Sequence, residues 1–141
     1  MTMALPYEVV IGERRLLDLH AQGLKIAGIG KGSKAADNCL AGALGNAWTA
    51  EQYRQDERAE PVGLLFAVYL FDYLIRAHCF VDGNKRVAWL ALVHVLAHHN
   101  VAIDCADVEV RNFCGSMLMP ESKKSVDDIL DWLVPKLTRL M

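Results

Sequence analysis

An excess of positive charge is missing from this sequence. Fifteen lysines and arginines stand against seventeen acids in 141 residues, a formal net charge of −2. That balance argues against bulk nucleic-acid binding, which favours a strongly basic domain or stripe. Long apolar runs are missing too. The longest, 62–71, stops at Asp72 with Arg76 close behind, too short to span a bilayer. Residues 1–10 lack the positive start and apolar stretch of an export signal. No two of the four cysteines, Cys39, Cys79, Cys105 and Cys114, form a CxxC pair. The expectation is therefore free thiols in a reducing cytoplasm. Repeats and low-complexity tracts are absent, and strand signals are scarce.

What is present is helical and apolar. At 53% hydrophobic and 23% charged, the chain has the composition of a globular domain, expected to span 1–141 as one unit. Apolar positions over 7–20 (Val9, Val10, Leu16, Leu17, Leu19) predict an amphipathic helix. Four glycines over 23–32 predict a surface loop. Ser33 reads as an N-cap for a helix through about Leu44 with Gly45 past its end. Thr49 with Gln52 resembles a capping box for a short polar helix.

Almost every position from Pro61 to about His78 is apolar, and the same holds from Val87 to Leu96. Helices apolar all round are buried helices. Two in tandem predict an all-α, compact bundle built on a central buried antiparallel pair. A short extended piece at 101–103, a helix over about 105–119 and a last helix capped by Ser125 with Asp128 complete the chain. Pro135 should kink or end that helix.

Between the two apolar segments stands His78-Cys79-Phe80-Val81-Asp82-Gly83-Asn84-Lys85-Arg86. Amides at the opening turn of a helix lack intrahelical partners and form an anion site. Gly83 lets the backbone turn and approach a ligand. Lys85 and Arg86 stand at the pole where positive charge is disfavoured by about 0.3–1 kcal/mol each, a penalty that a bound polyphosphate reverses. Asp82 beside such a site suits Mg²⁺, which takes one or two carboxylates plus phosphate oxygens. His78, four residues earlier, faces the same pocket as a base for an attacking hydroxyl. Phe80 points inward and anchors the loop. Taken singly, each of these residues reads as an ordinary turn or helix end; together they read as an active site.

These residues resemble the signature of the Fic/Doc family, His-x-Phe-x-(Asp/Glu)-Gly-Asn-x-Arg, at His78, Phe80, Asp82, Gly83, Asn84 and Arg86. The resemblance implies His78 as general base toward a target protein's hydroxyl and Asp82 as the magnesium ligand. It also implies Gly83, Asn84, Lys85 and Arg86 as the phosphate-holding pocket for ATP. AMP-transferring Fic enzymes usually carry glycine where this chain has Lys85, whereas lysine there resembles Doc, the toxin of a toxin–antitoxin pair. Doc-type enzymes transfer the γ-phosphate of ATP to a threonine of translation elongation factor Tu. The implied setting is the bacterial cytoplasm, with a cognate antitoxin whose disordered tail folds into a groove of the toxin. The alternatives are nucleotidyl transfer and a non-catalytic nucleotide-binding regulator. A flap over the pocket is expected somewhere in 45–60. Ser33-Lys34-Ala35-Ala36-Asp37-Asn38 approaches the family's inhibitory motif, with aspartate for glutamate, and is read instead as an ordinary helix start. His94 and His98 have the spacing of some zinc sites but read as packing histidines. Trp48, Trp89 and Trp132 read as packing residues, and Asp104, Asp107 and Glu109 as a solvated acidic patch.

Overall fold

A computed structural model describes residues 10–26, 34–54, 63–119 and 124–140. Among them are six helices: α1 (Glu13–Ile26), α2 (Cys39–Arg54), α3 (Leu64–Ala77), α4 (Asn84–His98), α5 (Asp107–Ser116) and α6 (Val126–Leu133). Two short strands, β1 (Val101–Ile103) and β2 (Leu137–Arg139), pair antiparallel with Val101 opposite Arg139. The expected all-α bundle is what forms. Among the described residues, no helix is long and apolar enough to cross a membrane.

α3 is the hub. Leu64, Leu70, Phe71, Leu74 and Ile75 are all but fully buried, because α2, α4 and α6 pack around it. Residues 78–83 return the chain from α3 to α4, and α1 lies across α4. Phe113 of α5 stacks on Trp132 of α6 with ring centroids 4.0 Å apart, and Trp132 meets Trp89 of α4 edge-on. Those rings fix the roll of α5 about its own axis. Trp48 packs edge-on against Phe66.

Several sequence-based boundaries move. α1 runs on through Gly23 to Ile26, so the expected loop begins later; Gly28, Gly30 and Gly32 lie outside the described residues. α2 is one helix rather than two. Leu40, Ala43, Leu44 and Ala47 bury a continuous stripe, and that burial outweighs the roughly 0.5–1 kcal/mol that Gly45 costs in mid-helix. The helix also starts late. Asn38 takes a left-handed φ of 63°, and the Ala36 N–H donates to the Cys79 carbonyl at 2.8 Å. Residues 34–38 are therefore not helical, and neither the ordinary helix start nor an inhibitory helix forms there. Ser33 itself, and the part of the expected flap at 55–60, lie outside the described residues.

α6 has the full capping box, with Asp128 N–H on Ser125 Oγ and Ser125 N–H on Asp128 Oδ2. The Ser125 N–H and then the Ser125 hydroxyl hold the Asp128 carboxyl below its ordinary range. The helix stops before Pro135, and a 3-10 turn leads into β2, a strand the sequence did not announce. Glu51 of α2 accepts the Phe66 N–H in the first turn of α3, capping that helix from a distance. Burial nevertheless pushes the Glu51 carboxyl above its ordinary range.

The expectation of four free thiols is overturned. Cys39 and Cys79 form a disulfide, with Cα atoms 5.5 Å apart, inside the usual range for such a bond. The two are distant in sequence and meet because the start of α2 lies beside the loop after α3. Cys105 and Cys114 are free.

Candidate active site

The loop is built around Asn84. This side chain is 6% exposed, its Oδ1 accepts the Phe80 N–H at 3.0 Å, and its Nδ2 donates to the Phe80 carbonyl at 2.8 Å. Those two bonds fix the orientation of the amide. Its second N–H then donates to His78 Nδ1 at 3.3 Å, which leaves Nε2 as the imidazole nitrogen free to meet a substrate. The Asn84 side chain thus holds the loop, and what it can offer an anion is its backbone N–H.

His78 closes α3 in the left-handed region, at φ 51° and ψ 50°, where histidine is one of the tolerated residues. This turn ends the helix and carries the imidazole out to the cleft. Phe80 is buried, as expected, beneath a residue the sequence analysis passed over. His20 of α1 stacks on it with centroids 3.6 Å apart and planes 8° from parallel. His20 Nε2–H also donates to the Asp82 carbonyl at 2.7 Å. One ring therefore clamps the loop by a stack and a hydrogen bond.

Gly83 is required twice over. Its φ is 79°, and a Cβ there would stand 3.1 Å from His20 Nε2. Gly23 is a second close approach. A Cβ on it would come within 2.8 Å of Arg86 Cδ, so the bare backbone of α1 is the bed on which the Arg86 stem lies. The sequence signal for both contacts was the buried stripe Leu16, Leu19, His20, Gly23 and Leu24 on one face of α1. A histidine and a glycine on a core-facing stripe were open to a packing role that only the fold specifies.

Replacing His20 with phenylalanine keeps a stacking ring and removes the donor. The expected result is a loss of about 0.5–1.5 kcal/mol of stability, read by urea unfolding, with faster amide exchange at Gly83 and Asn84. Unchanged exchange there would show that the loop does not depend on His20.

The signature residues converge on one cleft of about 950 Å3, lined by His78, Asp82, Gly83, Asn84, Lys85 and Arg86, with Gly23 and Leu24 on the α1 side and α5 opposite. Val81, fully exposed, forms its lip. The opening turn of α4 has no side-chain cap, so its amides are not consumed by side chains. The Gly83 N–H just before it is taken by Asp82 Oδ1 at 2.7 Å. That leaves Asp82 Oδ2 as the carboxylate oxygen for a cation, and Asp82 is exposed. A single exposed carboxylate beside an anion site fits Mg²⁺ held largely by phosphate oxygens and water. Among the described residues, no cluster of three or more His, Cys, Asp or Glu side chains could cage a metal. His94 Nε2–H donates to the Val10 carbonyl at 3.1 Å, a packing role.

α5 is the wall the sequence analysis did not place. Asp107, there part of a solvated acidic patch, lines the cleft with Val110, Arg111, Cys114 and Leu118. Burial pushes the Cys114 thiol up to about 11, against the opposing pull of the Lys85 charge. It is a protonated wall residue at neutral pH.

The sequence profile of the Fic/DOC family matches residues 11–96. The match covers more than half of the chain and runs from the start of α1 almost through α4, including the whole loop. The chain belongs to the Fic/DOC family, whose enzymes generally transfer nucleotide-derived groups to proteins. Compared with curated proteins, the sequence matches none.

Proposed function

We propose that the protein is a Doc-type toxin that transfers the γ-phosphate of ATP to a hydroxyl, a threonine, of a target protein such as translation elongation factor Tu, arresting translation. The observation that carries this reading is Lys85, where AMP-transferring relatives usually have glycine. It is exposed in the opening turn of α4, beside Arg86 and within reach of the α5 wall. A lysine there fills space that an α- and β-phosphate pair would need and places a charge on whichever phosphoryl group lies at the turn.

In this reading His78 Nε2 takes the proton of the acceptor hydroxyl as its oxygen bonds to the γ-phosphorus and the bond from that phosphorus to the β-γ bridging oxygen breaks, releasing ADP. A base at Nε2 needs the ring's own proton on Nδ1. That tautomer gives up the 3.3 Å bond from Asn84, at a cost of about 0.5–1.5 kcal/mol. Lys85, Arg86 and the α4 amides hold and neutralise the phosphates. Magnesium at Asp82 would supply further charge neutralisation on the phosphate oxygens. The cognate partner would be an antitoxin with a disordered inhibitory tail, in the bacterial cytoplasm.

Incubation with elongation factor Tu, magnesium and ATP labelled at either the α- or the γ-phosphate separates the chemistries. Label moving to the target from the γ-position alone is the expected result. Transfer of the α-label alone replaces this reading with nucleotidyl transfer. No transfer of either label, with nucleotide binding retained, leaves the regulator.

A further inference from the structure

α5 turns one stripe to the cleft. Asp107, Val110, Arg111 and Cys114 stand three or four residues apart along it, the spacing of one helix face, and Leu118 extends the wall from the turn that follows. The stack of Phe113 on Trp132 holds the helix in that roll from the other side. Arg111 is the one cation in α5, and it stands one turn before Cys114, whose thiol feels the charge of Lys85.

Three cations therefore enter one hollow: Lys85 and Arg86 from the opening turn of α4, the latter with its stem along Gly23 of α1, and Arg111 from α5. Among the described residues none of the three makes an ion pair, and Asp107, one turn before Arg111, does not pair with it. Asp82 and Asp107 line the same cleft without pairing to them, so the three cations outnumber the carboxylates there, and an anion that touches all three lowers their mutual repulsion. The stretch matched to the family ends at residue 96, so α5 and Arg111 lie beyond it.

We propose that Arg111 is a further nucleotide-binding residue. It holds the phosphates that the opening turn of α4 does not reach, so that α4 and α5 grip the phosphate chain from two walls. The proposal rests on the ATP-dependent transfer described above and adds a specificity-determining contact to it. A planar guanidinium on the far wall favours a polyphosphate over a single phosphate, because a chain of phosphoryl groups can offer oxygens to both walls at once.

The test is calorimetric titration of the full chain and its Arg111→Ala and Arg111→Lys variants with ATP plus magnesium, AMP and adenosine. Arg111 is exposed, so the melting temperatures should agree. The expected result for Arg111→Ala is a Kd for ATP about tenfold higher, a smaller change for AMP and none for adenosine, with Arg111→Lys between. In the transfer assay KM for ATP should rise in parallel while kcat stays within about twofold. An unchanged ATP affinity, or equal weakening for all three ligands, overturns the role of Arg111 while wild-type transfer stands. Failure of the wild-type chain to bind ATP overturns both this proposal and the reading beneath it.

Discussion

Replacing His78 with asparagine should lower the rate of group transfer by about 10²–10⁴-fold, the usual contribution of a positioned acid–base residue. Asparagine is the informative substitute. It tolerates the left-handed backbone that His78 adopts at φ 51° yet cannot take a proton at neutral pH. Alanine would add backbone strain of about 1–2 kcal/mol to the chemical loss. Single-turnover transfer with labelled ATP gives the rate, and nucleotide binding by calorimetry should be unchanged. Expression of the His78→Asn chain in cells should likewise relieve growth arrest caused by the parent. A variant that transfers label within threefold of wild type would show that the imidazole is not the base.

Opening the bond between Cys39 and Cys79 should cost about 3–4 kcal/mol of stability, from the loop-closure entropy of a 40-residue separation. The bond ties the first residue of α2 to the residue after His78. Its loss therefore also frees one end of the loop that Asn84 and His20 hold from the other. Urea unfolding of the Cys39→Ser, Cys79→Ser double variant against the air-purified parent measures the cost. Thiol titration checks the premise. The unfolded, unreduced parent should show two thiols, from Cys105 and Cys114, and four after reduction. In the native protein the buried Cys114 thiol, pushed up to about 11, should react far more slowly than the half-buried Cys105. Four thiols without reductant would remove the bond and the stability claim with it. In a reducing compartment the same loss of stability applies, and the Ala36–Cys79 backbone bond would remain as a tie between the segment before α2 and the loop.

Legibility followed the range of the interaction. The α3–α4 pair announced itself through its density of apolar residues, but only α3 is buried nearly all round; α4 buries one face, Val87, Ala88, Ala91, Leu92, Val95 and Leu96, and leaves Val93 exposed. The capping box at Ser125 is a contact between residues three apart, and it formed as read. The signature loop was legible for the same reason: His78 and Asn84 are six residues apart and meet in the structure.

Contacts across the fold were not legible. The disulfide joins residues 40 apart, the His20 clamp reaches across 62, and Arg86 lies on Gly23 of another helix. Each depends on how α1 and α2 are set against α4, and helix packing is decided by the sum of many weak apolar contacts that no single residue reveals. α5 shows both sides of this division. Its helical content was readable from its own residues. Which stripe it shows to the cleft was decided by Phe113 seating on Trp132. By itself, then, the sequence determined the helical class, the central pair and which residues make up the loop, because those need only near neighbours. The tertiary structure alone decided what surrounds that loop: the His20 clamp, the Cys39 tether and the Arg111 wall.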